Sequence, residues 1–249
     1  QILVIPKIFE INITTAPNAI SSEETSAITI LATYDGKPVA DANVTILSDI
    51  EGQFDFVTKC TGKEGNATFI FTAPPVTEKT NITITATVIK LGYATCNSTA
   101  TIMVEPGTLS VTIEANLSVI ESEKTSYIIV HVRHNGKPVS NVSISIIATN
   151  GTFSETIGLT NSDGYRIFLF TAPRTTSEMS ISILANATKL GYISAEKQET
   201  INVIPQTIVE TGGGWSLTTI LLIVIPIVIV AVIVVLIKLR IIEISSEEE

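Results

Sequence analysis

Three four-residue strings recur in the same order about 100 residues apart. Gly36-Lys37-Pro38-Val39 returns as Gly136-Lys137-Pro138-Val139, and Phe71-Thr72-Ala73-Pro74 returns as Phe170-Thr171-Ala172-Pro173. Lys90-Leu91-Gly92-Tyr93 returns as Lys189-Leu190-Gly191-Tyr192. The offsets are 100, 99 and 99, so one residue of register is lost between the first string and the second. Whatever this chain folds into, it folds into twice, and the period is too long for a solenoid.

Each copy reads as strands. Ile28, Ile30 and Ala32 alternate with Thr29, Leu31 and Thr33, and Val44 and Ile46 flank Thr45. Phe69 and Phe71 keep the same phase, and Ile82, Ile84, Ala86 and Val88 are separated by Thr83, Thr85 and Thr87. The second copy has Ile128, Val130 and Val132, then Val142, Ile144 and Ile146, then Phe168 and Phe170, then Ile181, Ile183, Ala185 and Ala187. A period of two with Ser and Thr on the off-phase gives one buried and one wet face. Asp35-Gly36, Glu64-Gly65, Asn135-Gly136 and Asp163-Gly164 supply turns between the runs. The expectation is an all-β chain of two tandem immunoglobulin-like β-sandwich domains, each of about seven strands, followed by a single C-terminal transmembrane helix.

The order Gly-Lys-Pro-Val, alternating strand, Gly-containing turn before an aromatic strand, then long Thr/Ile strand resembles the bacterial immunoglobulin-like domains of invasin and intimin. Similar modules occur in archaeal surface-layer and cell-surface glycoproteins. The resemblance spans residues 7–205, and it implies a sandwich fold and a role in adhesion or envelope structure.

Leu217–Ile237 holds no charged residue and is apolar except for Thr218, Thr219 and Pro226. As a helix these 21 residues reach ~31 Å, the thickness of a hydrocarbon core. Lys238 and Arg240 follow, whereas Gly212-Gly213-Gly214-Trp215 precedes with no basic residue nearby. Basic flanks stay in the cytoplasm, so the repeats are expected outside and the tail inside. The expected layout is sandwich 1 at 1–106, sandwich 2 at 107–205, a Gly-rich linker at 206–214, the membrane helix at 215–237 and a cytoplasmic tail at 238–249. An exported chain of this kind is expected to have lost a leader. Val4-Ile5-Pro6 echoes Val104-Glu105-Pro106 at an offset of 100. It reads either as the tail of a preceding module or as the start of the first strand.

Nine of thirteen asparagines stand in Asn-X-Ser/Thr: Asn12, Asn43, Asn66, Asn81, Asn97, Asn116, Asn141, Asn150 and Asn186. Phase turns Asn12, Asn43, Asn81 and Asn186 outward, and Asn66, Asn116 and Asn150 are placed in turns or loops. Covalent N-glycans are therefore expected. Cys60 and Cys96 both lie in the first copy. Cys60 keeps step with Phe54 and Phe56, which points it inward, and a Cys60–Cys96 disulfide across the core is expected outside a cell.

Little else carries chemistry. His131 and His134 are an odd number of residues apart, on opposite faces of a strand, so they do not share a metal. Asn161-Ser162-Asp163-Gly164 lacks the spacing of a calcium loop and reads as a turn. Glu23-Glu24 reads as a pair of solvated loop carboxylates. No nucleophile elbow or His-Glu metalloprotease motif occurs. The chain has 15 basic against 24 acidic residues, a net charge of −9, which argues against a nucleic-acid partner. No catalytic residue, cofactor or metal is expected, and the protein is not expected to be an enzyme. The expected function is a membrane-anchored, glycosylated scaffold of the cell envelope, with envelope or membrane-complex proteins as partners. An accessory single-span subunit and an adhesin or receptor ectodomain are the alternatives.

Overall fold

Placement follows from the alternation almost residue by residue. The structure, a computed structural model, describes residues 6–206 and 217–238. The first repeat holds β1 Lys7–Ile8, β2 Glu10–Ala16, β3 Ala19–Ser21, β4 Thr25–Tyr34, β5 Lys37–Pro38, β6 Asn43–Ser48, β7 Gln53–Phe54, β8 Thr58–Cys60, β9 Asn66–Thr72, β10 Thr80–Ile89, β11 Tyr93–Ala94 and β12 Cys96–Glu105. The second holds β13 Gly107–Thr108, β14 Ser110–Ala115, β15 Val119–Glu121, β16 Thr125–His134, β17 Lys137–Pro138, β18 Ser143–Ala148, β19 Thr152–Phe153, β20 Ile157–Leu159, β21 Tyr165–Thr171, β22 Met179–Thr188, β23 Tyr192–Ile193 and β24 Ala195–Ile204.

Each repeat pairs two five-stranded sheets. In the first the orders are β3-β12-β10-β6-β8 and β2-β4-β9-β7, with β5 beside β4. In the second they are β15-β24-β22-β18-β20 and β14-β16-β21-β19, with β17 beside β16. The long pairs are antiparallel, while β3 and β15 join their sheets in parallel. This is an immunoglobulin-like sandwich. The sequence pattern gives only about seven strands per repeat, because strands of two or three residues carry too few alternations to register.

The positions assigned inward are buried in both copies: Ile28, Ile30, Ala32, Val44, Ile46, Phe69, Phe71, Ile82, Ile84, Ala86 and Val88 in the first, and their counterparts in the second. They form two separate hydrophobic clusters, one per repeat. Each fully buried Ile or Phe contributes about 1.5–3 kcal/mol. The outward partners stay polar, and the hydroxyls of Thr29 and Thr68 meet at 3.0 Å across β4 and β9. At the Asp35-Gly36 and Asn135-Gly136 turns φ is positive at all four residues (49°, 68°, 49° and 77°), as a two-residue hairpin requires.

One cation has changed strands between the copies. In the first, Lys59 on β8 extends over the Phe69 ring at 5.0 Å and pairs with Asp55 at 2.8 Å. The counterpart of Lys59 is Gly158, and the counterpart of buried Ala67 on β9 is Arg166 on β21. Arg166 lies over Phe168 at 6.0 Å and pairs with Glu155. A Cβ on Gly158 would meet Arg166 Nε at 2.5 Å, so the glycine makes the room that the arginine fills.

Leu217–Lys238 is a 22-residue helix with Pro226 inside and Lys238 in its last turn. Counting only the side chains that are described, no helix is long and apolar enough to cross a membrane. The helix as a whole carries no charge before Lys238. The expected linker beyond Gln206, Trp215 and all of the tail beyond Lys238 lie outside the described residues, as do Val4 and Ile5 of the N-terminal echo.

Gly158→Ala should cost about 1–3 kcal/mol through overpacking against Arg166. The double change Gly158→Lys with Arg166→Ala, which reproduces the first repeat, should recover most of it. Denaturant unfolding of the single and double variants measures both effects.

Candidate functional site: the joint between the repeats

The loop Ser22-Glu23-Glu24 between β3 and β4 is held from several sides. Ser22 N donates to Glu105 O at 2.8 Å, Glu23 N to Ala73 O at 3.2 Å and Glu24 N to Ser21 O at 3.0 Å. Ser22 Oγ accepts from Val76 N at 3.0 Å. Glu23 takes a positive φ of 65°. Glu24 Oε2 accepts from Ser21 N within the first repeat at 3.0 Å, while Glu24 Oε1 and Glu23 Oε2 face the second repeat, at the Asn135-Gly136 turn and the Lys189–Tyr192 turn.

The contacts are specific. Lys189 Nζ reaches Glu23 Oε2 at 2.6 Å, and the Tyr192 hydroxyl donates to the same oxygen at 3.0 Å. Asn135 Nδ2 donates to Glu24 Oε1 at 3.3 Å, and His134 Nε2 lies 3.6 Å from that oxygen. His134 is only 8% exposed. Its Nδ1 sits 2.8 Å from Thr108 O, and its ring meets Tyr192 edge-on at 5.5 Å. Gly191 packs so tightly on the first repeat that a Cβ there would come within 2.7 Å of Pro75 Cβ. A cleft of about 500 Å³ runs along this joint, lined from both repeats.

The electrostatics follow from these contacts. The Ser21 amide bond holds Glu24 below its ordinary 4.5 against an opposing effect of burial, with Asn135, His134 and Lys137 acting in the same direction as Ser21. Burial first, then the Glu23 carboxylate, pushes the Tyr192 hydroxyl above its ordinary 10.0.

Two sequence expectations fail here for physical reasons. Glu23-Glu24 is a partly solvated pair, 41% and 37% exposed, but not an unengaged one; its partners lie more than a hundred residues away in sequence, beyond the reach of a local pattern. The Cys60–Cys96 disulfide is not formed: both thiols are free, Cys60 exposed and Cys96 half-buried. Phe54 belongs to one sheet and Cys60 to the other, so phase does not carry across the crossing. Cys60 on β8 and Cys96 on β12 are three strands apart in one sheet, about 14 Å at ordinary strand spacing, whereas a disulfide needs Cα atoms within roughly 7 Å.

Of the nine sequon asparagines, eight are exposed. Asn66 opens β9 rather than lying in a turn. Asn186 is half-buried, its Oδ1 shut from solvent with no hydrogen-bond partner. His131 and His134 do lie on opposite faces, half-buried and buried. The Asn161–Gly164 segment is a turn, its Asn161 Oδ1 accepting from Asp163 N and Tyr165 N at 3.1 and 3.0 Å. Among the described residues no group of three His, Cys, Asp or Glu is placed to hold a metal.

No family model and no curated relative matches the sequence. Among solved structures the chain is similar to the D0-D1 domain of intimin, 16% identical with a TM-score of 0.33, over 78% of this chain and 97% of that one. It is similar to the Yersinia pseudotuberculosis adhesin InvE, 18% identical with a TM-score of 0.38, over 77% and 58%. Escherichia coli alpha-2-macroglobulin activated by porcine elastase is 9% identical with a TM-score of 0.35, over 82% and 22%. The fold assignment rests on the chain's own strand order.

Gly191 and Gly92 are counterparts at φ 82° and 84°, but Gly92 has nothing within 4 Å. Valine at either strains the backbone; at Gly191 it should also wedge the repeats apart. Gly191→Val should therefore destabilise by about 1–3 kcal/mol more than Gly92→Val, read by denaturant unfolding. Glu24, with its folded value depressed, contributes stability that is present above 4.5 and lost as pH falls through the folded value. Glu24→Gln should lower stability at pH 7 and flatten its fall below about pH 4.5, measured as melting temperature against pH.

Proposed function

We propose that the chain is an interaction ectodomain of a cell surface. Two immunoglobulin-like modules, residues 1–106 and 107–205, stand outside. The linker 206–214 leads to a membrane helix at 215–237, and the tail 238–249 is cytoplasmic. The observation that carries this reading is the joint: its charged side chains are engaged in holding one repeat on the next, leaving sheet faces and loops as the surfaces for partners. Membrane anchorage is supported by the helix, whose described side chains from Ile225 to Val235 are exposed at consecutive positions and leave no polar side. Glycosylation is supported by the eight exposed sequons, with Asn186 left bare.

One face favours adhesion over a purely spacing role in the envelope. On β16 and β21 of the second repeat, Tyr127, Ile129, Ile167 and Leu169 line the outer surface, with Tyr127 55% and Ile167 43% exposed. The equivalent surface of the first repeat carries Ala27, Thr29, Thr68 and Ile70. Sequons flank both faces, Asn12 and Asn66 on the first and Asn116, whose amide donates to Tyr127 O at 2.9 Å, on the second, so the difference lies in apolar area. A protein partner meets less desolvation cost on the face of the second repeat.

Protease added to intact cells bearing the full chain should remove both repeats and leave a protected fragment of helix and tail. Survival of the repeats with loss of the last residues overturns the orientation. A native mass equal to the bare polypeptide overturns the glycosylation.

A further inference from the structure

Among the described residues no strand lies beyond β20, the edge of the sheet β15-β24-β22-β18-β20. We infer that this edge pairs with its own counterpart in a second copy of the chain, β20 against β20 antiparallel, giving a two-fold dimer through the second repeats.

The backbone of β20 is set for this. Ile146 N donates to Thr156 O at 2.9 Å, and Thr160 N donates to Val142 O at 3.0 Å. Bonded and unbonded pairs alternate along an antiparallel ladder. Ile144↔Gly158 is therefore a bonded pair, while Ser145↔Ile157 and Ser143↔Leu159 are not. The amides and carbonyls of Ile157 and Leu159 consequently point away from β18, at the open edge. An antiparallel copy centred on Gly158 sets Ile157 opposite Leu159 of the second copy, and Leu159 opposite its Ile157. Every outward amide then meets an outward carbonyl.

The side chains agree with that register. Ile157 and Leu159 are 64% and 56% exposed, and Ile147, the outward residue of β18 after Ser145, is 60% exposed. In the dimer each Ile157 meets a Leu159 on the outer face, and apolar surface leaves water. Glu155 falls opposite Asn161 of the second copy, so no like charges face each other. The longer edge strand β14 turns Ser110, Thr112 and Glu114 outward and has no such apolar row.

Four differences from the first repeat act in one direction. The equivalent edge, β8, carries Thr58 and Cys60 where β20 carries Ile157 and Leu159. Its central residue is Lys59, the counterpart of Gly158. Two lysines at a two-fold centre would repel, because Cα atoms there stand only about 4.5 Å apart. Asn43, in a sequon, lies directly across from Cys60, whereas Ser143 lies across from Leu159. The nearby sequon of the second repeat is at Asn141, on the turn beyond the end of the strand. Polar side chains and a lysine keep an edge single, and β20 has neither. Three residues a side make an interface below the about 1,200 Å² of stable complexes, so the association is weak. It leaves the face of β16 and β21 free and does not depend on the membrane reading.

The test uses the full chain in detergent. Sedimentation velocity should show the mass rising with concentration to a dimer and no further, as a two-fold contact closes on itself. Leu159→Pro removes an outward amide that no ladder bond uses, a place where an edge strand tolerates proline. It should weaken association at least about tenfold. The pair Ile157→Lys with Leu159→Lys sets lysine against lysine and should do the same, which keeps the test if the proline disturbs folding. Tyr127→Ser, on the other sheet, should leave association unchanged. In a Cys60→Ser, Cys96→Ser background, chains with Ile157→Cys mixed with chains with Leu159→Cys should oxidise to a linked dimer faster than either kind alone, because like positions lie on the longer diagonal. A monomer at all concentrations, growth beyond a dimer, association as strong in the lysine pair as in the parent, loss of association in Tyr127→Ser, or mixed cysteines that link no faster would each overturn the inference.

Discussion

Everything in the repeats depends on keeping one side of each long strand dry. β4, β6, β9 and β10 bury Ile, Val, Phe and Ala on one phase and show Thr, Asn or Leu on the other. A slip of one residue in any ladder would carry a whole row of threonines into the core. The long register between β10 and β12, from Thr80↔Val104 to Val88↔Cys96, is therefore fixed by apolar burial rather than by the turn that joins them. Positive-φ turns then need only be compatible with that register, which Asp35-Gly36 and Asn135-Gly136 are.

The joint obeys a different logic. It is polar, with a buried histidine, a lysine and a tyrosine converging on two neighbouring carboxylates. An exposed ion pair is worth only about 0.2–1 kcal/mol, but Lys189 is largely covered and Gly191 fixes the approach of the backbones. Geometry set by close packing and direction set by charge together define one orientation. An apolar contact alone would tolerate several.

The sandwich was legible because its code is local. A period of two, a Gly-containing turn and a phase survive in a single strand, and the inward assignments on the long strands, from Ile28 to Ala187, follow from them; Phe56 and Cys60, assigned inward by the same phase, are exposed. What was not legible depends on where the chain crosses between sheets or meets the other repeat. Cys60 was misread because Phe54 and Cys60 belong to different sheets. Glu23 and Glu24 were misread because Lys189 and Asn135 lie in the other copy. The sequence did hold a hint in the retained Lys-Leu-Gly-Tyr string: in the second copy its Lys189, Gly191 and Tyr192 reach the other repeat.

Lys59 and Arg166 reach over equivalent phenylalanines from different strands. The two copies are thus alike in outline yet incompatible in detail. A hybrid joining the first half of one copy to the second half of the other would inherit either two positive charges above one ring or none. The two positions, Lys59/Gly158 and Ala67/Arg166, therefore have to change together, so whole modules can be exchanged between copies with less disturbance than fragments.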